Sequence, residues 1–107
     1  MNTMLDIEVV HRGNGEALLT AAGEIDLSNI DEFKKAFADA TRGTDGSGGI
    51  LTVDLSAVEY LDSAAVNTLY AYADRIIKVV AHPLLMNIFT ISGLAELVAV
   101  EAATTDG

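Results

Sequence analysis

Ser63 is the residue whose chemistry is easiest to state, and it directly follows Asp62 at the predicted start of a helix. A serine hydroxyl acts either as a catalytic nucleophile, which needs a nearby base, or as a phosphate acceptor for a kinase that supplies its own base and magnesium. The chain has two histidines, His11 and His82, and His82 falls on the same predicted edge of the fold. A Ser63–His82 hydrolase pair stays open. The acceptor role fits Ser63 better, and we interpret His82 as a helix-cap or surface residue.

Other patterns that could carry chemistry are weak. Cysteine is absent, which excludes disulfides and cysteine-held metals, and no metal-ligand cluster stands out. Gly43 to Gly49 has too little pattern for a phosphate-binding loop, and we predict no cofactor. Asp54 ends the predicted central strand, as the acceptor of a response-regulator receiver does, but the acidic pair and the late lysine of receivers are missing. We interpret Asp54 as a turn residue that accepts bonds near Ser56 and Ala57. Nucleotide binding at the strand ends is a further, weaker hypothesis.

The charge balance narrows the choice of partners. The 107 residues include 6 basic and 16 acidic side chains, for a formal net charge of -10. Nucleic acids and anionic membranes need a basic face, and the few basic residues are too scattered to form one. We therefore predict no direct nucleic-acid or membrane partner. A protein with a basic patch suits this charge better, because opposite charges speed encounter.

The sequence predicts a single domain spanning residues 1–107, with a core over about 5–101 and a loose tail at 102–107. The first residues lack the basic start and apolar run of a signal peptide. No apolar segment approaches the ~20 residues that span a bilayer. We expect a cytoplasmic location.

The first third of the chain predicts a hairpin and a helix. Leu5 to His11 alternates as a half-buried strand, and the segment from Arg12 to Gly15 is typical of a hairpin turn. Glu16 to Ala22 is predicted to return as a second strand that Gly23 ends. Ser28 or Asn29 would cap the following helix, and Glu32 would complete a capping box with Asn29. The predicted buried face of this helix consists of Ile30, Phe33, Phe37 and Ala40.

The middle of the chain holds the strongest strand. Ile50 to Leu55 is a near-continuous apolar run, which predicts a central strand covered on both faces. Asp62 is predicted to cap a helix that starts at Ser63. The buried face of that helix is predicted to consist of Val66, Leu69, Tyr70 and Ala73.

The last third alternates again between strand and helix. The segment 75–80 could continue the preceding helix, but its β-branched residues favour a break near Asp74 and a strand. Pro83 would start a helix ending near Ile91, with Gly93 in a left-handed conformation and Leu94 packing back. Leu97 to Glu101 predicts a short edge strand. The fold class is α/β, with a mixed sheet of four to five strands and about three helices. Functional sites in such sheets lie at the carboxyl ends of strands, which here are predicted to be residues 24–29, residues 59–64 and His82.

Three motifs in this order resemble the STAS domain. They are GEID at 23–26 before a capped helix, VDLSAVEYLDS at 53–63, and HP at 82–83 opening a helix that ends ISGL at 91–94. The resemblance runs from about Ile7 to Val100 and is closest to the stand-alone anti-sigma factor antagonists. It implies the STAS fold and a regulatory protein without enzyme activity.

The resemblance implies a phosphorylation switch. Ser63 matches the serine that a partner kinase phosphorylates in this family, the kinase being the anti-sigma factor itself. The unphosphorylated antagonist binds the anti-sigma factor and frees the sigma factor. A metal-dependent phosphatase of the PP2C type reverses the modification. The resemblance places partner-binding or phosphosite-flanking roles on Asp26, Asp62, Ala64, Ala65 and Asn67, and a weak homodimer is left open.

The sequence departs from the family pattern in three places. Ala64 and Ala65 replace the small hydroxyl residue and glycine that usually follow the key serine, so Ser63 is the only acceptor there. The segment between Ser63 and the next strand is about two helical turns shorter than usual. The final helix of many members is missing or vestigial. An alternative is therefore a STAS scaffold in a stress-signalling complex that binds without being phosphorylated.

Overall fold

A computed structural model describes residues 4–12, 15–42 and 50–103. These residues form two layers, a β-sheet and the helices packed on it. The five strands are β1 Leu5–Arg12, β2 Glu16–Ile25, β3 Ile50–Leu61, β4 Ile76–Ala81 and β5 Ala99–Ala102. The four α-helices are α1 Ile30–Thr41, α2 Ser63–Ala71, α3 Met86–Ser92 and α4 Leu94–Leu97. Short 3₁₀ turns lie at Ala73–Arg75 and Pro83–Leu85. None of the described helices is long and apolar enough to cross a membrane.

The strands form one mixed sheet in which spatial order follows chain order, β1-β2-β3-β4-β5. β1 and β2 are an antiparallel hairpin, and each later neighbour pairs in parallel. A parallel neighbour requires the chain to cross back over the sheet. The helices between the strands form these crossover connections. The predicted mixed α/β architecture is confirmed.

Helices cover one face of the sheet. In β3 the side chains of Leu51, Val53 and Leu55 are fully buried, whereas Thr52 and Asp54 between them are only partly buried. The expectation that this strand is covered on both faces was wrong. The apolar run suggested two covered faces, but Ile50 at its start is partly exposed. The side chains of this strand alternate between buried and less buried, as in a strand with one covered face.

β3 runs six residues further than predicted because it contains two irregularities. The partners of Thr20 and Ala22 on β3 are Asp54 and Ala57, so β3 carries one extra residue there, and a second shift follows at Gly23 and Glu24. An extra residue reverses the side on which the following side chains point. The buried positions on β3 accordingly jump from Leu55 to Val58 and then to Leu61.

Asp54 lies at the first of these irregularities. Its Oδ1 accepts a hydrogen bond from the Ser56 N–H at 2.9 Å, as the sequence interpretation proposed. The predicted turn after Asp54 is nevertheless wrong, because the bond stabilises a bulge inside a continuing strand and not the end of one.

Gly23 does not end β2, which corrects another expectation. Its φ is +109°, and Glu24 donates to the Met4 carbonyl at 3.0 Å, so pairing with the start of the chain continues past the glycine. A Cβ at this position would lie 2.3 Å from the Met4 carbonyl oxygen. Gly23 therefore permits a close approach of two backbones.

The later elements match their predictions more closely. The chain breaks at 73–75 and β4 follows, so the predicted strand is confirmed. Gly93 has φ +84° and Leu94 is buried, also as predicted. The helix predicted from Pro83 begins with a 3₁₀ turn, and the short α4 was not predicted. The turn at 13–14, the loop at 43–49 and the tail at 104–107 lie outside the described residues.

We expect Gly23→Ala to destabilise the fold by about 3 kcal/mol, since it adds both an unfavourable positive φ and a backbone clash. Gly15→Ala is the matched control, because Gly15 has φ +86° but open space around its missing Cβ. The control should lose only about 1 kcal/mol. Urea unfolding followed by circular dichroism measures both, and equal losses would contradict the close-approach argument.

Candidate functional site

The candidate site lies where β2 and β3 end side by side. Ile25 and Leu61, the last residues of these strands, are paired in the sheet, and Asp62 donates from its backbone to the Ile25 carbonyl at 3.1 Å. Two loop segments therefore start together, one leading to α1 and one leading directly into α2. We call this edge, defined by residues 26–29 and 62–65, the rim.

The Asp62 carboxylate joins the two segments of the rim. Its Oδ1 accepts from the backbone N–H groups of Ala64 at 3.0 Å and Ala65 at 3.3 Å, which confirms Asp62 as the N-cap of α2. Its Oδ2 accepts from the Leu27 N–H at 3.1 Å, 35 residues away in the chain. One side chain thus caps the helix and anchors the neighbouring loop.

The loop at 26–29 is held by its own side chains. Asp26 Oδ1 accepts from the Ser28 backbone N–H at 2.9 Å and from the Ser28 hydroxyl. Asn29 is buried, with its Oδ1 accepting from the Asp26 N–H and its Nδ2 donating to the Glu24 carbonyl, both at 2.9 Å. The expected capping box is wrong, because the Asn29 side chain turns back to the loop and makes no bond to α1.

Ser63 is exposed at the first position of α2, beside this network. Among the described residues none forms a hydrogen bond with its hydroxyl, so the oxygen faces solvent. The N–H groups of Ala64 and Ala65 are not free to receive a phosphate, because both bond the Asp62 carboxylate. The dipole of α2 can still favour a phosphate without displacing Asp62.

The other predicted site residues separate by burial. Asn67 is exposed on the next turn of α2, and Ala64 is partly buried against the core. Ala65 is 0% exposed, so its methyl group belongs to the core and any contact with a partner would involve its backbone. Asp26 is partly buried. It lies near Asp62 in the rim, because the Asp62 carboxylate bonds Leu27, the residue that follows Asp26.

His82 is the cap of the 3₁₀ turn at Pro83–Leu85, as one interpretation of the sequence had it. Its Nδ1 accepts a hydrogen bond from the Leu84 N–H at 3.0 Å. A neutral imidazole has one acceptor nitrogen, so the proton is assigned to Nε2 and no lone pair is left to take a proton from a serine. This arrangement argues against a Ser63–His82 nucleophile pair.

An apolar groove adjoins Ser63, and the sequence did not predict it. It lies between α2 and α3 and has a volume of about 500 Å³. Its apolar walls are formed mainly by Leu61, Val66, Tyr70, Ile88 and Ile91. The sequence held one signal for the groove. Ile88 and Ile91 lie three residues apart on a helix that buries Phe89 on its other side, and a second apolar side on a short helix needs a covering partner.

Tyr70 corrects a prediction and shapes the groove. It was assigned to the buried face of α2, but it is partly exposed and its hydroxyl donates to the Ser92 carbonyl at the end of α3. The Tyr70 ring therefore spans from one helix to the other and fixes the far end of the groove. Within the described ranges no group of three His, Cys, Asp or Glu side chains could hold a metal ion.

Comparison with known families decides which fold this is. A family model described as "Mlab, STAS domain" matches residues 9–99. The chain belongs to the STAS domain family. The predicted resemblance is confirmed at the level of the family, and the matched range covers the rim, the groove, the whole of β2, β3 and β4, residues 9–12 of β1 and the first residue of β5.

Solved structures share the STAS fold of this chain. An anti-sigma factor antagonist from Mycobacterium paratuberculosis is 24% identical over 92% of this chain and 86% of its own, with a TM-score of 0.78. The unphosphorylated anti-sigma factor antagonist SpoIIAA is 15% identical over 92% and 89%, with a TM-score of 0.70. The Bacillus cell fate determinant SpoIIAA in its phosphorylated form is 19% identical over 92% of each chain, with a TM-score of 0.62. Among curated proteins no match was found.

We expect Asp62→Ala to lower the free energy of unfolding by about 2 kcal/mol, because it removes the cap of α2 and the bond to Leu27. Asp62→Asn is the matched variant. Its one amide oxygen can still cap α2 but its NH₂ group cannot accept from Leu27, so about half of the loss should remain. Chemical denaturation measures the series. An Asp62→Ala variant as stable as the parent would contradict the joining role of the carboxylate.

Proposed function

We propose that this STAS domain is an anti-sigma factor antagonist that binds an anti-sigma factor and thereby releases a sigma factor. The observation that carries the proposal is an exposed serine at the first position of α2, directly beside an open apolar groove. A hydroxyl that can be phosphorylated, at the margin of an apolar surface, suits a protein interface whose binding phosphorylation switches on or off. The antagonists with the same fold supply the class of partner.

The groove and the charge indicate the chemistry of the partner. Ile91 is 76% exposed on the groove wall, and burying such a side chain against a partner removes apolar surface from water. The chain carries a net charge of -10, and Asp26 and Asp62 lie at the rim. We infer a partner that inserts apolar side chains between α2 and α3 and surrounds them with basic residues. This function would place the protein in the cytoplasm.

The proposed switch is phosphorylation of Ser63 by the serine kinase activity of the anti-sigma factor, reversed by a PP2C-type phosphatase. Phosphate adds about -1.5 to -2 charge at pH 7. Because Asp62 already bonds the N–H groups of Ala64 and Ala65, the added charge gains little inside the domain. It would stay on the surface that the partner must cover, where burying it beside two carboxylates opposes binding.

A second candidate is a STAS scaffold that binds constitutively, with Ser63 unmodified. The same bonds of Asp62 favour it, since the N-terminus of α2 offers no ready group of free N–H donors to a phosphate. The two candidates differ in one measurable product. Intact mass after incubation with a lysate of the source cells and ATP should show one added phosphate, absent from Ser63→Ala. An unchanged mass with retained binding selects the scaffold.

We expect Ser63→Glu to weaken binding of the co-purified anti-sigma factor by at least about tenfold, and Ser63→Ala to bind like the parent. The residue is exposed, so both variants should fold with melting temperatures near that of the parent. Isothermal titration with the recovered partner measures the affinities. Equal binding by both variants would remove the switch.

We expect Ile91→Glu to weaken the same complex by at least about tenfold, because it puts a charge on the wall of the groove. Leu97→Glu is the matched control, since Leu97 is 58% exposed on α4 and does not line the groove. The control should bind normally. If both substitutions have the same effect, the partner does not use the groove.

A further inference from the structure

β1 is an edge strand with one side unpaired within the described sheet. It lies at one end of the strand order and pairs with β2 along its whole length. The Met4 carbonyl accepts from Glu24, so residues at even positions face β2 with their backbone groups. The N–H and C=O groups at odd positions, Leu5, Ile7, Val9 and His11, therefore point outward.

The side chains of this edge are incompletely covered. Leu5, Ile7 and Val9 are half-buried on the helix-covered side of the sheet. A groove of about 490 Å³ opens between them and α1, whose Glu32, Lys35, Ala36 and Asp39 form its opposite wall. An unpaired strand beside a partly apolar groove is a template for a further strand.

We propose that the occupant is a second copy of this chain, paired antiparallel through β1 about a two-fold axis at Val9. This surface is distinct from the rim and independent of the function proposed there. The argument for a second copy is that the charges on the strand complement each other under that symmetry. Asp6 and Glu8 lie at one end of β1 and Arg12 at the other, all exposed on the open face of the sheet.

Cross-strand charges and the length of the paired segment together select the register. With Val9 opposite Val9, Asp6 faces Arg12 twice and Glu8 faces the exposed Val10. A two-residue slip that centres the axis on Glu8 puts two glutamates opposite each other, and centring it on Ile7 puts Asp6 opposite Glu8. Like charges directly opposite destabilise a pair of strands. Centring the axis on Val10 would put Glu8 opposite Arg12, but it would pair only residues 8–12. The register with Val9 on the axis pairs residues 6–12 and therefore forms the longer ladder.

The helices fit the same arrangement. α1 packs mainly on β1 and β2. Adding a strand at the usual spacing of about 4.8 Å brings the two copies of α1 to about 10 Å apart, the upper end of normal helix packing. Each helix would then cover the groove of the other copy. The net charge of -10 opposes association, so we expect a weak dimer.

Sedimentation equilibrium of the full chain from micromolar to millimolar concentration tests the proposal. Arg12→Glu and Asp6→Arg should each weaken dimerisation by about tenfold or more, because each converts two attractive pairs into repulsive ones. The double variant Asp6→Arg/Arg12→Glu should restore it. Lys34→Glu, on the exposed side of α1, changes the net charge as Arg12→Glu does and should have a smaller effect. Circular dichroism verifies that each variant folds.

A cysteine pair tests the register separately, since the chain has no native cysteine. Val9→Cys should oxidise to a disulfide dimer, because directly opposed residues of a hydrogen-bonded pair lie about 5.5 Å apart at Cα. Val10→Cys should do so more slowly. A monomer at all concentrations, a double variant that fails to recover, or faster cross-linking through Val10 would overturn the proposal.

Discussion

The rim depends on the carboxylate of Asp62. Its two oxygens accept three backbone N–H groups from two segments that are 35 residues apart in the chain. Without an acceptor there, the first turn of α2 loses its cap and the loop before α1 loses the bond that holds Leu27 against the start of α2. The position of Ser63 follows from this arrangement, because the serine is the residue between the cap and the N–H groups that it binds.

The sequence predicted the elements well where local rules apply. Asp62 was identified as a cap, Gly93 as a left-handed stop, and 75–80 as a strand, because each depends on nearby residues. The predictions failed where contacts with a segment distant in the sequence determine the backbone conformation. Gly23 continues a strand only because Met4 lies against it, and β3 continues past Leu55 only because an extra residue reverses its inward side. Period-two counting cannot detect such a reversal.

The candidate site was predictable in part for the same reason. Asp62, Ser63 and Asp26 were placed at one edge because parallel strands end together. The use of the Ala64 and Ala65 N–H groups by Asp62 follows from the cap itself, but the groove between α2 and α3 does not. It depends on Tyr70 reaching Ser92 across two helices, and the helical period alone assigned that ring to the core.

The end of β3 also limits where an exposed hydroxyl can lie. The two irregularities each reverse the inward side and so cancel by Leu61, which points into the core immediately before the rim and helps to fix the start of α2. Ser63 faces solvent, whereas the side chain two residues later, at Ala65, is sealed inside. A serine moved to position 65 would be hidden from any enzyme. The end of β3 therefore decides which position of α2 can present a hydroxyl to solvent.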